Sequence, residues 1–366
     1  MFDANDHRHM SRVIQLANKP IFSPHPNPRV GCLIVKDNTV IGEGFHEFAG
    51  GPHAEVNALE QAGVQAELAT VYISLEPCCF HGRTPPCVNA LINAKVSKVF
   101  VAMLDPNPKV SGQGVSQLQE AGIEVKTGLL EEQAKELNKG FIQRMRKGRP
   151  WVRCKIAMSF DGRTALNNGE SQWISGKAAR RDVQAYRAKS DAILTGIGTV
   201  KTDNPQMTIR DLPSIQEAVR QPLRVIVDSR LKSDFNAIIF NQPGDTLIAT
   251  LNTEHDSGVE NVKIKSFASK NDKVDLLQLL KYMADQEINE VQVEAGATLN
   301  GALLSEGLVD ELVVYMANIL MGDSARGIFN LPELTAMDEK LKLHCLDVRQ
   351  IGEDFRFIMR PEIVKF

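Results

Sequence analysis

His53-Ala54-Glu55, then Pro77-Cys78, then Cys87, place one imidazole, two thiols and a carboxylate in a pattern suited to hydrolytic zinc chemistry. Three protein ligands leave a fourth zinc position open for water, and the metal lowers the pKa of that water toward neutrality. A carboxylate that is not itself a ligand then serves as proton carrier, from the water to a ring nitrogen and on to departing ammonia. His53, Cys78 and Cys87 are the expected ligands and Glu55 the expected shuttle. A structural zinc site would use a fourth Cys or His and would have no need of Glu55.

The spacing departs from the usual two residues between the cysteines of zinc deaminases. Eight residues, Cys79-Phe80-His81-Gly82-Arg83-Thr84-Pro85-Pro86, separate Cys78 from Cys87. They include two rival ligands, Cys79 and His81. Pro77 favours Cys78 over Cys79, because a proline ends the preceding strand and lets a turn present the next thiolate.

These groups need elements to bring them together. Residues 31–35 and 40–44 read as a hairpin, 53–62 as a helix opened by Pro52, 70–75 as a strand and 86–94 as a helix. A strand over 96–103, a helix over 113–121 closed by Gly122 and a strand over 123–127 complete a three-layer α/β domain. His53 and Glu55 then fall in the first turn of one helix and Cys87 opens the next, where the partial positive charge of helix starts favours thiolate. The polar, basic stretch 137–150 closes the domain, its basic run Arg144–Arg149 reads as a solvated linker, and the boundary is placed between 146 and 147.

The second domain, 147–366, repeats the alternation. Strands are expected at 152–158, 191–194, 223–227, 246–250, 290–294 and, last, 310–317. Helices are expected at 177–189 and from the opening Ala295-Gly296-Ala297-Thr298 to Leu304, and a tight turn at Asp161-Gly162. Gly196-Ile197-Gly198 lacks the third glycine of a dinucleotide fingerprint, so it is read either as a cofactor contact or as a plain turn. Ala295-Gly296-Ala297-Thr298 joins a strand to a helix, and backbone N–H groups there suit a phosphate.

Composition narrows the classes. Of 366 residues, 43% are hydrophobic and 24% charged, the profile of a globular chain long enough for two domains. A net charge of −3 argues against a nucleic-acid grip, which needs clustered cations. No apolar run is long enough to span a bilayer and no leader-like segment opens the chain, so the expected location is the cytoplasm with no membrane partner. Six cysteines are too few for a disulfide framework; Cys32, Cys154 and Cys345 are expected as buried free thiols. The expected assembly is a homo-oligomer, a dimer, which no residue of the chain specifies.

A longer set of motifs carries a family resemblance. Pro26-Asn27-Pro28-Arg29-Val30-Gly31, Gly42-Glu43-Gly44-Phe45-His46, Leu75-Glu76-Pro77-Cys78, Gly82-Arg83-Thr84-Pro85-Pro86-Cys87 and Asp105-Pro106-Asn107-Pro108 occur in order. Ser159-Phe160-Asp161-Gly162-Arg163, Trp173-Ile174-Ser175-Gly176 and Val309-Asp310-Glu311-Leu312 follow. Over nearly its whole length the chain resembles the bifunctional riboflavin-biosynthesis deaminase–reductases. That resemblance implies a cytidine-deaminase-like α/β/α domain followed by a dihydrofolate-reductase-like α/β domain. It implies zinc and NADPH as cofactors and phosphoribosylated pyrimidines as substrates. The first domain would deaminate 2,5-diamino-6-ribosylamino-4(3H)-pyrimidinone 5′-phosphate. The second would reduce the ribosyl group of 5-amino-6-(5-phosphoribosylamino)uracil to ribityl.

Matched positions imply further roles. Asn27, His46, His81 and Arg83 fall at the deaminase substrate. Ala157, Trp173, Thr199, Asp203, Ser229 and the run Gly296, Ala297, Thr298, Leu299, Asn300, Gly301, Ala302 fall at NADPH. Ser171, Arg187, Met207, Arg210 and Glu294 fall at the reductase substrate. Arg187 and Arg210 suit phosphate, because guanidinium pairs with it through two bonds; a surface ion pair is the other reading of Arg187, and core packing the other reading of Trp173. Asn204 and Ala295 stand where the family often has Asp and Gly. The competing readings are a nucleoside or nucleic-acid deaminase with a degenerate second domain, and a zinc-stabilised nucleotide sensor. Glu55 speaks against the sensor, and the retained Arg187, Arg210 and Glu294 against degeneracy.

Overall fold

The structure, a computed structural model, describes residues 2–20, 25–81, 85–108, 110–210, 212, 220–253 and 256–362. The chain forms two compact units, Met1–Gly148 and Arg149–Phe366.

In the first unit, strands β1 (Gly31–Lys36), β2 (Thr39–Phe45), β3 (Thr70–Ile73), β4 (Lys98–Val101) and β5 (Glu124–Thr127) form one sheet in the order β2-β1-β3-β4-β5. The β1/β2 and β1/β3 pairs are antiparallel and the rest parallel. Strand side chains alternate between faces, and both faces are covered. Cys32, Ile34, Val71, Ile73, Val99 and Val101 pack with α2 (Ala54–Ala62), α3 (Cys87–Asn93) and α4 (Gln113–Glu120). Leu33, Val35, Tyr72 and Phe100 pack on the other face with α1 (Ala4–Ala17) and α5 (Glu131–Leu137). The expected three-layer α/β/α arrangement is present.

Helix α2 lies unusually close to β2. A Cβ on Gly44 would fall 2.1 Å from the Ala54 carbonyl oxygen, and one on Gly42 2.2 Å from that of Ala58. The Gly-Glu-Gly spacing is therefore what lets the helix start that bears His53 and Glu55 settle on the sheet.

Two features of this unit depart from expectation. Helix α1 has no counterpart in the sequence reading, although Asp3 and Asp6 form a capping box and Met10, Val13, Leu16 and Ala17 make its buried stripe. The stretch read as a linker is instead helix α6 (Lys139–Lys147), with Arg144, Arg146 and Lys147 in its last turn, where cations oppose the carbonyl ends.

The second unit contains β6 (Trp151–Ser159), β7 (Arg163–Ala165), β8 (Ala192–Gly196), β9 (Leu223–Val227), β10 (Thr246–Thr250), β11 (Val262–Ser266), β12 (Ser269–Lys270), β13 (Lys273–Val274), β14 (Glu290–Val293), β15 (Glu311–Ala317), β16 (Arg326–Gly327), β17 (Leu343–Ile351) and β18 (Asp354–Pro361). Its helices are α7 (Lys177–Lys189), α8 (Ile197–Asp203), α9 (Leu276–Asp285) and α10 (Ala297–Ser305). Nine strands run β11-β10-β9-β8-β14-β6-β15-β18-β17; the first seven are parallel, and β18 and β17 antiparallel. Leu194, Val225, Val291, Val293 and Leu312 pack with α9 and α10 on one face, while Ile193, Ile226 and Ile248 pack with Val200 of α8 on the other.

The strand over 310–317 is not the last. The hairpin β17/β18 extends the sheet, and its outer strand leaves Cys345 exposed, against the expected burial. At the strand starts, Arg149 pairs with Asp310 at 2.6 Å and Arg153 with Glu290 and Glu311 at 2.9 and 2.6 Å. Arg149 is thus a buried structural group and not part of a solvated basic run. Among the described residues, no helix is long and apolar enough to cross a membrane.

Candidate functional site

In the first unit the sequence-selected groups converge. His53 is the N-cap of α2, Cys87 the first residue of α3, and Cys78 lies in the loop after β3. Ligand atoms of the three lie within 4.8 Å of one another. His53 Nδ1 is 3.1 Å from Cys87 Sγ and 3.6 Å from Cys78 Sγ, and the Cys87 N–H donates to Cys78 Sγ at 3.3 Å. Hydrogen bonds from Cys87 and His53 hold the Cys78 thiol down to about 4, in the thiolate form a metal takes. One nitrogen and two sulfurs at this separation fit zinc. Cys79 is not in the set: its thiol points to Gln113 Oε1 at 3.9 Å.

Glu55, in the first turn of α2, is 3% exposed. Burial, and then the charge of Cys78, push its carboxyl up to about 6, close to the pH at which a proton carrier works well. His46 and Asn27 stand beside the trio, with the His46 and His53 rings 5.3 Å apart. His46 Nδ1 lies 3.0 Å from the Pro52 carbonyl oxygen and its Nε2 3.0 Å from Asn27 Nδ2. A carbonyl accepts and an amide nitrogen donates, so His46 carries its proton on Nδ1 and is neutral, in keeping with the downward push of burial. His81 is exposed. Arg83 lies outside the described residues.

In the second unit a cavity of about 1420 Å³ opens at the carboxyl ends of the parallel strands, where open α/β sheets bind ligands. That exceeds the roughly 300–1,000 Å³ of a single small-molecule site. Ala157, Ser171, Trp173, Thr199, Asp203, Met207, Arg210, Ser229, Glu294 and Gly296 through Asn300 line it, with Ala302. Gly301 does not: a Cβ there would lie 2.2 Å from the Asn330 carbonyl oxygen, so this glycine serves close packing of α10. The Gly196-Ile197-Gly198 stretch is neither free loop nor turn; β8 runs to Gly196 and α8 begins at Ile197. Asn204 takes the left-handed conformation at the end of α8, which asparagine tolerates, and accepts the Ile238 N–H at 2.8 Å.

Trp173 is 69% exposed, which removes the core-packing reading; the Arg180 guanidinium stands 4.5 Å from its ring centroid. Arg187 lines the cavity as well, and its burial removes the surface-pair reading. It is 7% exposed and grips Glu294 through Nε–Oε1 at 2.7 Å and NH2–Oε2 at 2.9 Å, with NH1 donating to the Thr208 carbonyl at 2.7 Å. Burial alone would raise the Glu294 carboxyl, but the Arg187 charge and hydrogen bonds, with Lys155 and Gln292, hold it at about 2. Arg210 is exposed, donates to Gln206 Oε1 at 2.6 Å, and has no carboxylate partner among the described residues. The Ser229 hydroxyl accepts the Val274 N–H at 3.0 Å.

Lys155 was missed by sequence reasoning. It lines the cavity from the middle of β6, and burial pulls its ammonium below the usual lysine range while Glu294 opposes the shift. A lysine between Cys154 and Ile156 in a strand otherwise read as core was the available signal.

Comparison with known proteins adds the following. Residues 150–357 match the family described as "RibD C-terminal domain", and residues 3–103 the "Cytidine and deoxycytidylate deaminase zinc-binding region". The chain is 46% identical over 357 residues to the riboflavin biosynthesis protein RibD of Escherichia coli (strain K12), covering 95% of this chain and 97% of that one. A solved structure of Acinetobacter baumannii RibD (form 1) superposes with a TM-score of 0.92 at 46% identity, over 98% and 99% of the two chains. The Thermotoga maritima diaminohydroxyphosphoribosylaminopyrimidine deaminase/5-amino-6-(5-phosphoribosylamino)uracil reductase gives 0.84 at 32% identity, over 97% and 98%.

Two expectations follow from the geometry. Cys79→Ser should keep one zinc per chain, whereas Cys78→Ser should lose it; metal analysis of the purified variants checks this, and the reverse result would move the ligand by one residue. For Glu294, a folded-state value below the unfolded one stabilises the fold above the unfolded value of about 4.5 and loses that contribution as pH falls toward about 2. Glu294→Gln should therefore flatten the acid slope of second-unit stability below pH 4.5, while costing about 3–5 kcal/mol at neutral pH by stranding Arg187. Both tryptophans, Trp151 and Trp173, lie in this unit, so fluorescence-monitored urea unfolding reports it; parallel slopes for the two proteins would contradict the assignment.

Proposed function

The chain belongs to the RibD family of bifunctional riboflavin-biosynthesis deaminase–reductases, and from that membership we propose an assignment of its two reactions to particular residues. The enzyme couples a zinc-dependent deaminase to an NADPH-dependent reductase acting on phosphoribosylated pyrimidines. The observation carrying the assignment is a buried carboxylate, Glu55, beside but outside the His53/Cys78/Cys87 trio.

Zinc, when bound by His53, Cys78 and Cys87, supplies Lewis acidity and makes water acidic near neutral pH. Glu55 takes a proton from the attacking water, delivers it to the pyrimidine ring nitrogen, and carries the second proton to the departing amine. Net, water replaces an exocyclic amino group as carbonyl oxygen and ammonia leaves. Asn27, oriented by neutral His46, holds the pyrimidine through its amide oxygen. Arg83 and His81 take the phosphate side, which gives the long spacer a use.

In the second unit NADPH, when bound, supplies hydride to the ribosyl carbon of the aminouracil. N–H groups at the start of α10, Gly296 through Leu299, suit its pyrophosphate. Trp173, Ala157, Thr199 and Asp203 form the remaining cofactor wall, and Ser229 lies toward the adenosine ribose. Ser171, Met207 and Glu294 face the substrate. Arg187, in the cavity lining, faces the substrate while fixing Glu294 in place, and the exposed fork of Arg210 takes the substrate phosphate. The cavity volume supports cofactor and substrate bound together. A cytoplasmic homodimer is the assembly we favour: Leu343, Leu346 and Val348 stand 43–50% exposed on edge strand β17, an apolar edge that a second copy would cover.

Glu55→Gln should retain zinc and lose deamination by at least about a hundredfold, the scale of general acid–base loss, with reduction of the separately supplied aminouracil unchanged. Metal analysis plus both assays decide it; lost zinc or near-normal deamination would sink the shuttle role. Arg210→Ala should lower reductase kcat/KM roughly ten- to a hundredfold, the equivalent of about 1.5–3 kcal/mol for a charged hydrogen bond. Arg210→Lys should recover only part, because an ammonium lacks the planar fork. The loss should vanish on dephosphorylated substrate; an equal loss on both forms would place Arg210 elsewhere.

A further inference from the structure

Glu76 lies two residues before Cys78, is 3% exposed, and has no place in the ligand set. Its carboxylate accepts four backbone hydrogen bonds. Oε1 receives the N–H groups of Gly114 at 3.0 Å and Val115 at 3.2 Å. Oε2 receives those of Gly112 at 2.9 Å and Asp105 at 3.1 Å. Its own N–H donates to the Met103 carbonyl at 3.0 Å. Gly112 is the N-cap of α4, and Gly114 and Val115 belong to its first turn, where N–H groups lack helical acceptors. A remote carboxylate thus does the work of a local cap, with charge-assisted bonds stronger than neutral ones.

A second observation ties this anchor to the metal ligand. A Cβ on Gly114 would lie 2.3 Å from the Pro77 carbonyl oxygen. The start of α4 therefore presses on the peptide that leads into Cys78, and only glycine permits that approach. Glu76 draws α4 in, and Gly114 sets how near it comes. The backbone of Pro77-Cys78 is held between these two constraints on one side and the Val88 N–H on the Cys78 carbonyl at 3.2 Å on the other.

We propose that Glu76 is a positioning residue of the deaminase: through Gly112, Gly114 and Val115 it fixes the Pro77-Cys78 backbone and so sets where the Cys78 thiolate meets the metal. The role rests on Cys78 being a zinc ligand. It follows the general pattern in which groups behind the ligands are worth about 10–100-fold in metal affinity or activity.

The test uses the full-length chain loaded with cobalt(II), whose thiolate charge-transfer and d–d absorption report ligand geometry, together with the rate of zinc release to a chromophoric chelator. Glu76→Gln keeps the side-chain volume but halves the acceptor capacity, Gly114→Ala displaces Pro77 without touching the carboxylate, and Glu76→Asp keeps the charge on a shorter arm. Glu76→Gln and Gly114→Ala should each shift the cobalt spectrum and speed zinc release about 10–100-fold. Deaminase kcat should fall with little change in KM, since Asn27 and His46 are untouched. Glu76→Asp should fall between wild type and Glu76→Gln. Wild-type spectra and release rates in these variants, even with a lowered Tm, would overturn the proposal and leave Glu76 a role in the fold alone; if one variant does not fold, the other two decide by the same criterion. A wild-type cobalt spectrum without thiolate bands, or one that survives Cys78→Ser, would instead overturn the underlying ligand assignment.

Discussion

Two cysteine sulfurs and an imidazole nitrogen within 4.8 Å of one another, with Cys87 buried and His53 and Cys78 half-buried, form a cluster that a cation stabilises. The first unit is arranged around that requirement. Glycines at 42 and 44 let α2 settle on β2, which fixes His53 at the helix start. Pro86 caps α3 so that Cys87 is its first residue. The Cys78 loop, with neither helix nor strand to hold it, is gripped through Glu76. Glu55 stays beside the cluster because it lies in the first turn of α2, two residues after His53, buried and outside the trio.

The second unit solves a different problem with related means. Its cavity sits at the carboxyl ends of parallel strands, and its fixed charge is Glu294 held by Arg187, with Lys155 alongside. A buried pair of this kind contributes little net stability against an apolar substitute, because desolvation offsets the attraction. Its effect is a carboxylate that stays ionised and oriented at the cavity wall. The opposite ends of the same strands carry Arg149–Asp310 and Arg153 with Glu290 and Glu311, which close the sheet there and leave the cavity end for ligands.

Much of the fold was legible because strand and helix periodicities are local. Residues 177–189, 223–227 and 246–250 were placed to the residue. Misses occurred where composition misled. Helix α1 hides a buried stripe among His and Asp, α6 looks like a basic linker, and β17 and β18 form a hairpin whose outer face is exposed. Cys345 was misplaced for the last reason, since an edge strand does not bury its apolar residues on both faces.

The sequence by itself determined the chemistry of the zinc site. Residue types and spacings name His53, Cys87 and Glu55, with Cys78 favoured over its neighbour Cys79, since ligand donors and proton carriers have few substitutes. It also determined the order of the two domains and, through motifs spread along the chain, the family. What only the tertiary structure decided were pairings between residues far apart in sequence. A separation of 107 positions hides the contact by which Arg187 holds the Glu294 carboxylate at the cavity wall. The choice of Cys78 over Cys79 rests on which thiol turns toward His53. The use of Glu76 rests on where the start of α4 comes to lie. Hydrogen-bond partners depend on distance and direction in space, and those are set by packing, to which spacing along the chain gives no guide.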